Sequence, residues 1–108
     1  DNVGVLDTTT STFTTIDISS VVSADDSSAY GGGKYYGGAA VGTKIFFAPA
    51  NQDNVGVLDT ATSTFSTTSV GTLTAGHKYR GAAVVGTSVF FAPYNEDNVG
   101  VLDTQWLA

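Results

Sequence analysis

The sequence has 108 residues, of which 13% are charged and 42% hydrophobic, with a net charge of −6, so it is one domain's worth of acidic chain. That charge argues against nucleic-acid binding, which needs a basic face to displace counterions from phosphates. The absence of cysteine excludes disulfides, thiolate metal sites and cysteine nucleophiles, and no apolar run approaches the ~20 residues that span a membrane as a helix.

Threonine, serine and thirteen glycines make up much of the remainder. Thr beside Val, Ile, Phe and Tyr favours strands, and Gly favours tight turns. Ala, Leu, Glu and Lys never gather at helical spacing, so the expected class is all-β. The sequence opens without Met, as expected of a processed chain or of a piece of a longer one.

In chain order, the first feature is the octapeptide DNVGVLDT at Asp1, which returns at Asp53 and again at Asp97. The repeat is longer than the octapeptide: DNVGVLDTTTSTFTTI from Asp1 matches DNVGVLDTATSTFSTT from Asp53. A second block, KYYGGAAVGTKIFFAP over 34–49, is matched by KYRGAAVVGTSVFFAP over 78–93. These two blocks lie 44 residues apart, as do Asp53 and Asp97. The longer spacing of 52 between the first two octapeptides reflects eight extra residues between Phe13 and Lys34. A period near 44 with several strands per unit is the pattern of a propeller blade; a two-layer sandwich of repeated hairpins is the alternative.

Each full unit is expected to contain four strands. GGAAV and GAAVV lead into Gly42-Thr43 and Gly86-Thr87, which suit two-residue hairpin turns. KIFFA and SVFFA form the second strands, NVGVLDT the third and STFSTT the fourth, with Asp59 able to accept from its own backbone two residues on. Ile45 and Phe47 point to one side of their strand, Phe46 and Ala48 to the other, so both sides of the sheet need cover. The small first strand suits a place near a crowded axis. The chain therefore divides into the third and fourth strands of a split blade (1–18), a Ser/Gly/Asp-rich loop insertion (19–33), a complete blade (34–68) and the first three strands of a further blade (77–108). Trp106 falls opposite Thr62, not Phe65, so the last unit lacks a proper fourth strand.

The run YRGAAVVGTSVFF (79–91) resembles the first two strands of a kelch repeat, and VLDTATSTF (57–65) resembles that family's third strand, turn and fourth strand. Leu58 and Phe65 hold the places of the family's Tyr and Trp, and Ala-Pro stands where the family has a double glycine. The resemblance implies kelch-like propeller blades, about two per chain. Similar blades occur in oxidases resembling galactose oxidase, whose Tyr–Cys crosslink this cysteine-free chain cannot make. Two blades cannot close a ring, so head-to-tail association is expected: the first and second strands of the incomplete last blade of one chain pair with the third and fourth strands supplied by the next chain. Three chains would give six blades and four would give eight; a trimer is the favoured partner count, and a piece of a longer propeller is the competing account.

The loops entering the first strand and those joining the second to the third should share one face of the ring. Lys34, Tyr35, Tyr36, His77, Lys78, Tyr79, Arg80, Tyr94 and Asn95 fall there and form the candidate ligand-binding rim. Aromatic faces stack on sugars or rings, while Lys, Arg and Asn orient hydroxyls or anions. The structural account pairs Lys78 and Arg80 with Glu96 or Asp97 and packs the tyrosines on the rim. Asn51, Asp53, Asn95 and Asp97 offer oxygens to calcium but lack the spacing of a calcium loop, and Asx residues are ordinary turn formers. No cofactor motif, phosphate loop, carboxylate pair or Ser/His/Asp spacing stands out, and the single histidine, His77, sits in a Gly-rich loop. Non-catalytic binding of a carbohydrate, small molecule or protein is the expected function, a purely structural repeat the rival, and an enzyme the third reading.

Overall fold

A computed structural model describes residues 2–20, 33–73 and 75–106; most of the insertion at 19–33 lies outside them. The class is all-β, with no α-helix among the described residues, and the strands form three antiparallel sheets of two, four and three strands. These residues close neither a barrel nor a propeller.

The first sheet is the hairpin β1 (Asn2–Asp7) and β2 (Thr12–Asp17). The second has the order β3 (Tyr35–Val41), β4 (Lys44–Pro49), β5 (Asn54–Asp59) and β6 (Thr64–Ser69). The third has β7 (Tyr79–Val85), β8 (Ser88–Pro93) and β9 (Gly100–Asp103), followed by a 3₁₀ turn over Thr104–Trp106. The registers repeat as the sequence does: Phe46 faces Val57 and Ile45 faces Leu58, just as Phe90 faces Val101 and Val89 faces Leu102. The expected third strand of the last unit is shortened, however, since Asn98 and Val99 stand outside β9.

Turn chemistry accounts for these breaks. Gly42 and Gly86 take φ of 60° and 62° in their two-residue hairpins, the left-handed region that costs glycine little. Between β1 and β2 and between β5 and β6 the chain turns through Asp-Thr-x-Thr-Ser, where Ser11 and Ser63 both adopt φ of 56°. The backbone N–H of Thr9 donates to Asp7 Oδ1 at 2.9 Å, and that of Ala61 to Asp59 Oδ1 at 3.0 Å. Asp7 also accepts from the Thr9 hydroxyl at 2.6 Å.

These bonds have a measurable signature. The Thr9 hydroxyl first, and its backbone N–H second, hold the Asp7 carboxyl below its usual 3.8; the Ser19 backbone N–H does the same for Asp17. A carboxyl depressed on folding stabilises the native state at pH above the unfolded value and loses that contribution as pH falls through the folded value. NMR titration of both side chains is expected to give midpoints below 3.8, and Thr9→Ala should move the Asp7 midpoint upward while leaving Asp17 unchanged. Coincident midpoints at 3.8 would show that the turns are not closed in solution.

The core lies between the second and third sheets. Phe46, Ala48, Val55 and Val57 project from one side of the second sheet and meet Tyr79, Val89 and Phe91 of the third. Ala39, Val41, Val70, Leu73, Ala82, Val84 and Leu102 complete the layer. The edge strands β3 and β7 come close where the backbone permits it: a Cβ on Gly37 would lie 3.1 Å from Gly81 Cα. Both glycines have positive φ, 73° and 83°, and both sit at register irregularities in their strands.

The octapeptide consequently occupies three different environments. In β5, Val55, Val57 and Leu58 are buried. In β1 the equivalent Leu6 is 59% exposed, and across from it Phe13 is 66% exposed. Val99 and Val101, at and before β9, are also exposed.

Candidate functional site

The loops that enter β7 and leave β4 and β8 meet at one end of the sheets, and backbone hydrogen bonds hold them there. Lys78 N–H donates to Ala50 O at 3.2 Å, and Tyr94 N–H to Lys78 O at 2.9 Å. Asn51 acts as a fastener: its amide donates to Gly33 O at 2.8 Å, and its Oδ1 accepts from His77 N–H at 2.9 Å. His77 is thereby held at φ 51°, a left-handed conformation uncommon outside glycine that His, like Asn and Asp, adopts more readily than most. Asn95 repeats part of the arrangement by donating to Gly76 O at 2.9 Å.

Lys78 is the buried anchor of this end. Its side chain is 0% exposed, and Nζ donates to Ala50 O at 3.2 Å and Gln52 O at 3.0 Å while pairing with Asp53 Oδ1 at 2.7 Å. The expected partner was Glu96 or Asp97 of the same unit. The partner is instead on the preceding sheet, because the loop after β4 passes over the entry to β7 and supplies two carbonyls at once. Burying an ammonium requires that its three N–H groups be met, and this loop meets all three.

Five of the nine rim candidates come together. Tyr36, His77, Arg80, Tyr94 and Asn95, with Ala75 and Gly76, line an open cleft of about 630 Å³. Arg80 is the centre of it. Its guanidinium carbon lies 3.9 Å from the centroid of the Tyr94 ring and 5.0 Å from that of Tyr36. His77 stands between the same two tyrosines, 6.3 Å from each ring centroid, but is itself buried. Tyr36 comes from β3 and Arg80 from β7, so neither sheet forms the cleft alone. Among the described residues no carboxylate pairs with Arg80.

The remaining candidates serve packing. Lys34, half-buried, holds the turn after β4 through its carbonyl, which accepts from Ala50 and Asn51. Tyr35 packs on Phe47 and Phe65 and donates its hydroxyl to Asn54; burial pushes its pKa up to about 12. Tyr79 is buried against Phe91, and that burial, followed by the nearby Glu96 charge, raises its pKa too. Of the calcium candidates, Asn51 has both ends of its amide engaged and Asp53 holds Lys78. No group of three or more His, Asp or Glu side chains among the described residues is placed to hold a metal ion.

Sequence reasoning placed the cleft by loop position but missed the stacking of Arg80 across two sheets. The signal was present in the unequal pair Tyr36 and Arg80, which occupy the same place in successive units: a ring and a cation at equivalent, adjacent positions are a stacking pair. Comparison of the chain with models of protein families, with curated proteins and with solved structures returned no match.

Proposed function

We propose that the chain is a non-catalytic, kelch-like propeller module that associates head-to-tail and binds a small acidic ligand, a carbohydrate carrying a carboxylate being the best fit, in the cleft between β3 and β7. One observation carries the ligand reading: an exposed guanidinium, without a carboxylate partner among the described residues, lies over the rings of two tyrosines that line an open cleft. Contact with two rings reduces the freedom a long Arg side chain would otherwise lose on binding. Its N–H edge stays available for a bidentate carboxylate, while the exposed Tyr94 and the amide and carbonyl groups of the rim suit hydroxyls. A cation so placed in a chain of net charge −6 sits against the overall field.

Calorimetric titration with uronic acids and with the matching neutral sugars tests the reading. The acidic sugar is expected to bind and the neutral one to bind at least about tenfold more weakly, a difference of one charge-assisted hydrogen bond. Arg80→Ala should abolish binding with an unchanged circular dichroism spectrum, and Arg80→Lys should recover little of it, because an ammonium offers no planar fork. If no acidic ligand binds and Arg80→Ala lowers the melting temperature instead, the Tyr36–Arg80–Tyr94 stack is a clamp between sheets and the chain is a structural repeat.

A further inference from the structure

The three copies of the repeat carry one aromatic cluster in unequal shares. In the second sheet it is whole: Tyr35, Phe47 and Phe65 lie with ring centroids 6.1 to 6.2 Å apart. The Phe65 ring covers Gly56 so closely that a Cβ there would stand 2.7 Å from Phe65 Cζ. The third sheet has two of the three rings, Tyr79 and Phe91, 6.1 Å apart over Gly100. The first hairpin has the missing one: Phe13 covers Gly4 at 2.9 Å from the Cβ position, just as Phe65 covers Gly56, and is 66% exposed.

Beside Tyr79, Phe91 and Gly100 lies an apolar groove of about 190 Å³. Val55, Val70 and Leu73 form its far wall. A ring of phenylalanine size fits such a volume, since an apolar cavity of ~150 Å³ accepts benzene. The groove is where the counterpart of Phe65 would stand if the third sheet had a fourth strand.

We infer that the β1–β2 hairpin of a second copy completes the third sheet, replacing β9 on β8 and seating Phe13 in this groove. This rests on the head-to-tail half of the function proposed above and goes further, naming the strands exchanged. The residues 1–8 and 97–104 are identical, so the incoming β1 repeats every contact that β9 makes with β8 and the register is preset: Val5 takes the place of Val101 opposite Phe90, and Leu6 that of Leu102 opposite Val89. Exchange between identical strands costs little in pairing. The incomer adds a gain, because β1 is six residues long where β9 is four, and it arrives already paired with β2. The apolar faces also complement each other. The exchanged sheet presents Val85, Phe90 and the incoming Val3 and Val5 on one side, matching Val41, Phe46, Val55 and Val57, which the second sheet buries against its neighbour.

The native mass distribution tests this at a series of concentrations. The wild type is expected to populate assemblies as concentration rises, and Phe13→Ser, which alters an exposed ring only, should weaken assembly at least about tenfold. Ser88 and Asp103 are direct cross-strand partners, and the chain has no other thiol. The double variant Ser88→Cys/Asp103→Cys, once oxidised, ties β9 to β8 and should remain monomeric, then assemble on reduction. In parallel, Asp7→Cys chains mixed with Ser88→Cys chains should form a disulfide between copies, because Asp7 takes the place of Asp103. Assembly that persists in the oxidised double variant, or a mixture that assembles without that disulfide, overturns the exchange and leaves head-to-tail association by another surface standing. A wild type that stays monomeric throughout overturns both.

Discussion

Phe46→Ala is expected to destabilise the chain by about 3–5 kcal/mol, whereas Phe90→Ala, in the same place of the next repeat, should cost less than about 1 kcal/mol in dilute solution. Phe46 is 1% exposed and stands at the centre of the layer between the second and third sheets; Phe90 is 36% exposed on the outer side of the third. The pair is a stringent test because the local sequences, FFAP after a β-branched residue, and the strand registers are the same. Only tertiary position differs. Urea denaturation of both variants decides it, and equal losses would mean that the third sheet is covered on both sides even in the monomer.

Lys78 carries the second large effect. Lys78→Ala is expected to cost about 2–4 kcal/mol, since it strips a donor from the carbonyls of Ala50 and Gln52 and leaves a void at a fully buried position. Lys78→Met, which keeps the aliphatic stem, should recover the packing part but not the hydrogen-bonded part. Asp53→Asn should cost less than about 1 kcal/mol, because Asp53 is more than half exposed and its pairing is screened by solvent. An Asp53→Asn loss as large as that of Lys78→Ala would place the weight on the ion pair and not on the carbonyls.

The contrast between Phe46 and Phe90 also marks what could be read from the sequence. Periodicity located the strands, and Gly42-Thr43 with Gly86-Thr87 located the hairpins, because alternation and positive φ are local demands. The four-stranded order of the second sheet followed from them. Burial was not legible, since identical octapeptides give identical patterns while the number of neighbours differs. Leu6 and Leu58 cannot be told apart by their flanking residues, yet one is exposed and the other buried. Lys78 was misplaced for a related reason. A lysine beside tyrosines in a loop reads as a rim cation, and the carbonyls that enclose it come from a loop 26 to 28 residues earlier. Arg80 lines an open cleft, and the two rings it lies over come from different units, Tyr36 and Tyr94, which no local pattern brings together.

The contact between Gly37 and Gly81 has a geometric consequence. Stacked sheets ordinarily keep ~10 Å between their mean planes. Here the edge strands β3 and β7 approach until backbone nears backbone, while elsewhere the same gap holds Phe46, Tyr79 and Phe91. The layer is therefore a wedge, thin at β3 and β7 and thick toward β5, and its taper is written in side-chain volume: glycine, then alanine, then valine and aromatic rings. The angle between the two sheets is thus a property of residue sizes graded from β3 and β7 toward β5. Enlarging Gly37, whose Cβ would press on Gly81, would open the thin end, and trimming the aromatic rings would thin the thick end, so either substitution would lessen the taper between the two sheets.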